Sequence, residues 1–246
     1  MEAKSVLPRV WDVPDEIRSR LGATVGRQRA MTADGHLLLV VHVPPKPDEL
    51  GRQGRFLWRK PDGTWTSNDL GGGTQVVGKH LDQFAKAIED CDGMEQQASR
   101  AEEYLAVLER LAPLQRSARN LYGVLQEARQ LCPDDRDLIN FRDRAYEIER
   151  AAELLQTETN NSLQLFMAKR AEEQAKASRR MAVSAHRLNI LAAFFFPVAA
   201  LSGILGVNLV HGYEAFRAPI PFLGFVAVSA MLGLVLACFV AASRRD

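Results

Sequence analysis

Hydrophobic positions follow three rhythms along this chain. Up to about residue 70 they alternate with polar ones in short runs; from Thr74 they recur every three or four residues; from Leu188 they merge into two nearly unbroken blocks. These rhythms predict, in that order, strands, amphipathic helices and segments suited to hydrocarbon.

In the first region, Arg27–Met31 and His36–Val43 flank Thr32-Ala33-Asp34-Gly35, and an Asp-Gly pair between such runs predicts a hairpin. Arg55–Arg59 and Thr64–Ser67 flank Pro61-Asp62-Gly63 and predict a second, in which proline presets the turn and glycine takes the positive φ. A proline-rich loop, 44–51, joins them. Gly71-Gly72-Gly73 then reads as a linker, because no Lys-Ser or Lys-Thr follows at the spacing a phosphate-binding loop needs.

The second rhythm predicts several helices. Val77, Leu81, Phe84 and Ile88 mark one that stops near Asp92-Gly93; Ala101, Tyr104, Leu105, Leu108 and Leu111 mark another, interrupted by Pro113; Leu114, Leu121, Leu125, Ala128 and Leu131 mark a third that stops before Cys132-Pro133. Leu138, Phe141, Ala145, Ile148, Ala152, Leu155, Thr159, Ser162 and Phe166 are then spaced alternately by three and four, a coiled-coil stripe for packing against neighbouring helices. No helix breaker precedes Pro197. A helix from Asp135 to Asn208 extends roughly 110 Å at about 1.5 Å per residue. A rod of that length outruns so small a domain, and copies of the chain are its simplest partners.

Residues 188–208 and 219–242 contain no charged side chain, and each is long enough to cross a hydrocarbon core of roughly 30 Å. Lys169, Arg170, Lys176, Arg179, Arg180 and Arg187 precede the first block and Arg244 and Arg245 follow the second, whereas the intervening loop offers only Arg217, balanced by Glu214. The positive-inside rule puts both termini in the cytoplasm and the loop outside. The first thirty residues lack the apolar core of a signal peptide, in keeping with a cytoplasmic body. The expected organisation is a β-rich cytoplasmic subdomain, 1–73; a helical subdomain, 74–133; a stalk helix, 134–187; a first transmembrane helix, 188–208; an external loop, 209–218; a second transmembrane helix, 219–242; and a cytoplasmic tail, 243–246.

Composition narrows the chemistry. With 31 Lys and Arg against 30 Asp and Glu, nothing calls for a nucleic-acid partner. Cys91, Cys132 and Cys238 show no CxxC spacing, so neither a disulfide framework nor a zinc site is expected. His36, His42 and His80 lack metal-ligand spacing, no nucleophile stands in a recognisable setting, and an enzyme is not expected. In the first block, steps of three or four from Leu188 put Ala192, Phe196, Ala199, Gly203 and Gly206 on one face; the small residues suit close helix packing, and the face suits a pore if several copies form a ring.

The segment Phe196-Pro197-Val198-Ala199-Ala200-Leu201-Ser202-Gly203-Ile204-Leu205-Gly206-Val207-Asn208, with the long preceding helix and the C-terminal pair of spans, resembles the CorA family of magnesium and cobalt transporters, which includes zinc transporters of the ZntB type. Gly206, Val207 and Asn208 stand where that family has Gly-Met-Asn, and Pro197 and Gly203 stand at matching places. Val207 departs from the hallmark methionine, which leaves the choice of metal open. The likeness covers about residues 134–246.

What the resemblance implies is an α+β cytoplasmic domain with a very long stalk helix and two C-terminal transmembrane helices. It implies a homo-oligomer, expected to be a pentamer, in the inner or plasma membrane, with lipid and its own copies as partners. The first spans line a channel for divalent cations, Mg²⁺ foremost, then Co²⁺, Ni²⁺ or Zn²⁺; the cation is substrate, and no organic cofactor is expected. Gly206, Val207 and Asn208 form the selectivity filter, with Asn208 touching the metal through its water shell, as suits a cation slow to shed water. Leu188, Ala192, Phe196, Ala199 and Gly203 line the pore, Leu188 and Phe196 as an apolar constriction. Glu214 attracts cations outside. The family also implies gating by cytoplasmic metal, for which Asp134, Asp135, Asp137, Asp143, Glu147, Glu149 and Glu153 are candidates. The alternative is a non-conducting or weakly conducting membrane-anchored sensor or scaffold of the same architecture.

Overall fold

The computed structural model describes residues 6–8, 10–46, 51, 53–206 and 220–242. These are mostly helical, with one small sheet and one very long helix that is apolar toward its C-terminal end. The elements are α1 (Asp15–Ser19), β1 (Arg29–Ala33), β2 (His36–His42), β3 (Gly54–Arg59), β4 (Trp65–Ser67), α2 (Val76–Gln97), α3 (Ala101–Leu131), α4 (Asp137–Gly206) and α5 (Ile220–Ala242). The chain divides into two compact units, Met1–Ala168 and Lys169–Asp246.

In the first unit the strands form an antiparallel meander in the order β1-β2-β3-β4. Both turns adopt the predicted chemistry. Asp34 and Gly35 have φ of 49° and 76° between the paired residues Ala33 and His36, as a two-residue turn with left-handed centres requires. Gly63 has φ of 86°, and Asp62 Oδ1 accepts from the Thr64 N–H at 2.9 Å. The triple glycine does more than link: the Gly73 N–H donates to the Trp65 carbonyl at 2.8 Å, and Gly72 pairs with Thr66, folding the segment back on β4.

Alternation along β2 and β3 points residues to two different cores, because both faces of the sheet are covered. Leu37, Leu39, Val41 and Leu57 join a cluster with Leu81, Phe84 and Ile88 of α2 and with Val107, Leu111, Leu121 and Leu125 of α3. Leu38, Val40, Phe56 and Trp58 join Leu7, Trp11, Val13 and Ile17 of the N-terminal segment on the other side. Strand residues therefore read as continuously buried, and the exposed polar face of a one-sided sheet is missing.

α3 runs unbroken through Pro113, where the sequence predicts two helices. The proline removes one backbone hydrogen bond and ordinarily costs about 3 kcal/mol in a helix interior. Leu111 and Leu114 on either side of it, with Val107 and Ala118, are all buried in the core, and that packing holds the helix together. The stripe on α4 finds its neighbours within the same chain: Leu138, Ala145, Ile148, Ala152 and Leu155 belong to the cluster with α2 and α3. Thr159 is buried too, its hydroxyl donating to the Leu155 carbonyl at 2.7 Å.

Two arginines on the helix-facing side of β3 fasten the sheet to the helices. Arg59 Nε lies 2.7 Å from Asp135 Oδ2, just before α4; its N–H is not aimed at a partner, so the contact is Coulombic rather than an aligned hydrogen bond. Arg55 is buried. It grips both oxygens of Asp69 at 2.7–2.9 Å and donates through Nη1 to Gln83 Oε1 and His80 Nδ1, each at 2.7 Å. Since the guanidinium can only donate, Nδ1 accepts and the histidine proton sits on Nε2, which has no partner among the described residues. Burial, then the neighbouring guanidinium, lower the His80 pKa from 6.5 to about 3, against a smaller opposite pull from Asp69. Burial tends to raise the Asp69 pKa, but hydrogen bonds from Arg55 and Ser67 outweigh it and the net direction is down.

Folded His80 stays neutral to about pH 3, whereas the unfolded chain takes up this proton near pH 6.5. The unfolded state therefore binds more protons between those values, and stability falls as pH drops through the window, by up to about 1.4 kcal/mol per unit from this residue. His80→Asn keeps an acceptor for Arg55 and removes the titration. Urea unfolding of the full chain in detergent should show a shallower loss of stability between pH 6.5 and 4.5 in this variant than in the wild type; equal slopes would exclude His80 as the source.

Candidate pore segment

In the second unit, the apolar part of α4 has two unlike sides. Pro197 is buried and Ile190, Phe194, Val198 and Leu201 are half-buried. α5 meets this side at Phe194. A Cβ on Gly233 would lie 2.4 Å from the Phe194 carbonyl oxygen, closer than real side chains come, so the absence of a side chain at 233 is what allows the two backbones to meet. One turn earlier in α5, Ser229 is also buried, and its hydroxyl has no partner among the described residues.

The other side carries the residues read from the sequence as pore-lining. Leu188 is 66% exposed and Phe196 73% exposed, and Ala192, Ala199 and Gly203 are exposed as well. Leu191 and Phe195 widen this uncovered arc. The structure thus brings the five predicted positions together on the side that α5 leaves free. α4 ends at Gly206. Val207, Asn208 and Glu214, read from the sequence as filter and external-attraction residues, lie outside the described residues, as does all of the predicted external loop.

Pro197 sits inside α4 without ending it. Lacking an N–H, it leaves the Ala193 carbonyl without its helical donor. Among the described residues, one helix, Asp137–Gly203, is long and apolar enough to cross a membrane, and Val226–Ala242 is a shorter apolar stretch within α5.

The acids proposed as metal-sensing levers are largely engaged by arginines of the first unit. Asp135 pairs with Arg59, Asp143 with Arg142, Glu149 with Arg119 and Glu153 with Arg150. Arg144 pairs with Asp82 of α2. Glu147 instead borders an open groove of about 530 Å³ between α2 and α4, floored by Ile88, Leu154 and Leu155 and rimmed by Glu89, Asp92 and Glu158. Among the described residues no three His, Cys, Asp or Glu side chains gather as a metal-binding group.

Sequence reasoning weighed small residues in α4 and passed over Ser229 and Gly233 in α5. Their spacing of four, which stacks two small residues one turn apart, was the available signal. Gly233→Ala should cost roughly 1–3 kcal/mol, because backbone has to yield. Gly224→Ala, where a Cβ meets nothing within 4 Å, should be neutral or slightly stabilising through helix propensity. Unfolding of both variants by SDS in mixed micelles checks the pair; equal effects would show that α5 does not rest on Phe194 through Gly233.

No family model matches the chain, and no curated protein matches it. Among solved structures it is similar to one described as the structure of the full-length CmaX protein, at 15% sequence identity and a TM-score of 0.48, over 92% of this chain and 80% of that one.

Proposed function

We propose that this chain is a CorA-like channel or transporter for divalent cations, with Mg²⁺ as the first candidate, built from several copies whose α4 segments surround a central path. The observation that carries this reading is the uncovered row Leu188, Ala192, Phe196, Ala199 and Gly203, which runs directly into Gly206-Val207-Asn208. An apolar face of this extent is costly in water, at roughly 25 cal/mol per Å². Lipid alone demands only that it be apolar. A ring of copies adds a demand that lipid does not make: small residues where helices converge. The row is bulkiest toward Leu188 and Phe196 and ends in Ala199 and Gly203, so close approach is easiest beside Asn208.

In this reading Asn208 side-chain carbonyls accept hydrogen bonds from waters around the incoming ion, and recognition is outer-sphere, as Mg²⁺ favours. Leu188 and Phe196 form a constriction that closes by excluding water. Glu214 raises the local cation concentration at the outer mouth. Moving a divalent cation inward down 100 mV releases roughly 4.6 kcal/mol, so no nucleotide hydrolysis is required. The two spans, the pentamer and cytoplasmic termini belong to the same proposal.

A second reading, a membrane-anchored sensor or scaffold that does not conduct, is favoured by one feature: none of the five row side chains is polar. Flux separates the two. Proteoliposomes holding the full chain and a Mg²⁺-sensitive dye should fill faster than empty vesicles, and Asn208→Ala should abolish selective divalent uptake while leaving the oligomer intact by light scattering. Wild-type flux equal to that of empty vesicles would establish the scaffold reading; unchanged selectivity in the variant would remove Asn208 from the mechanism.

A further inference from the structure

The stretch of α4 just before its apolar part is the most exposed and most one-sidedly charged in the second unit. Every residue from Lys169 to Ala182 is exposed. After Glu173 the sequence has no acidic residue until Glu214. Lys176 is paired with Glu172 at 2.6 Å and Arg170 with Glu173 at 3.5 Å, but Arg179, Arg180 and Arg187 have no acidic partner among the described residues. Three permanently charged guanidinium groups thus stand without an acidic partner among the described residues, next to the apolar part of α4.

From this arrangement we infer that Arg179, Arg180 and Arg187 form a binding site for the phosphate groups of anionic phospholipids in the leaflet that α4 enters. The inference rests on the membrane reading of 188–206 given above.

Distance singles out these three. Arg187 adjoins Leu188, and Arg179 and Arg180 lie about 10–12 Å further along the axis at about 1.5 Å per residue. The headgroup layer is roughly 5–8 Å deep on each side, and long cationic side chains reach toward it. Beyond the outer edge of that layer, Arg179 and Arg180 are thus within a Debye length of roughly 8–10 Å, whereas Lys176 and Lys169, about 16 and 27 Å from Arg187, stand about one and two Debye lengths out.

Direction agrees with distance. Residues seven apart on a helix fall within about 20° of each other, so Arg180, Arg187 and Phe194 share one row, and Phe194 is where α5 rests. That row is turned about 120–160° from Ala192, Ala199 and Gly203. The arginines therefore sit on the side of α5, away from the face that copies would share. Residue type agrees as well: the three near positions are arginine, whose planar fork matches a phosphate through two parallel hydrogen bonds, while the remote positions 169 and 176 are lysine. Orientation during insertion needs positive charge of either kind; phosphate recognition prefers the fork.

Full-length protein in nanodiscs of phosphatidylcholine with a small fraction of spin-labelled phosphatidylglycerol tests this. The wild type should enrich the anionic lipid. R179Q/R180Q/R187Q should lose that preference by at least about tenfold, since each near charge contributes roughly fivefold, or about 1 kcal/mol. K169Q/K176Q should lose less than about twofold. R179K/R180K/R187K should keep the same topology by thiol labelling yet bind more weakly than the wild type. Equal losses in the two glutamine variants, or no enrichment by an inserted wild type, would overturn the inference alone, and tighter binding of a DNA duplex by the same arginines would overturn it in favour of nucleic acid. Release of the wild type from vesicles by alkaline carbonate would instead remove the membrane reading on which it stands.

Discussion

Where the missing side chain at Gly233 lets α5 meet the Phe194 carbonyl, one side of α4 is committed to packing within the chain and the other must be covered from outside. Much follows from that division. Pro197, which leaves a backbone carbonyl without a donor, is on the covered side and buried. Leu188, Ala192, Phe196, Ala199 and Gly203 are turned away. Had α5 lain against the row of small residues, the exposed side would instead carry Phe194 and Pro197.

Polar groups in the first unit obey a related rule, that a buried charge has to be held. With helices on one face of the sheet and the N-terminal segment on the other, β3 has no exposed side, and an arginine at 55 cannot reach water. It is tolerated because Asp69, Gln83 and His80 take up its donors. His80 is in turn forced to stay neutral, since a second positive charge beside Arg55 would have no counterpart. The same cluster that fixes α2 to the sheet therefore makes the unit sensitive to acid.

The sequence disclosed what local chemistry decides. Asp34-Gly35 and Asp62-Gly63 announce their turns because few residues accept a left-handed backbone, and the structure has positive φ at Asp34, Gly35 and Gly63. The spacing of Leu138 to Thr159 announced a packing stripe, though not that its partners were α2 and α3 of the same chain. Decisions made by tertiary packing were hidden. Pro113 looks like a helix end until Leu111 and Leu114 are seen buried on both sides of it. Arg55 and His80, 25 residues apart, carry no motif, and only the fold joins them. For the pore segment, periodicity put Leu188, Ala192, Phe196, Ala199 and Gly203 on one face and the structure leaves that face exposed, while Val207, Asn208 and Glu214 lie outside the described residues.

The placement of the arginines bears on whether a cation can pass. A divalent ion about 8 Å from one guanidinium is repelled by roughly 1 kcal/mol even at the dielectric constant of water, and a ring of five such groups would oppose it by about 5 kcal/mol. That equals or exceeds the roughly 4.6 kcal/mol that 100 mV supplies. Before screening by salt, a ring of arginines around such a path would raise a barrier of that size. In α4 they share the row of Phe194, turned toward α5. Positive charge is thus held on the side of Phe194 and away from the face that carries Ala192, Ala199 and Gly203.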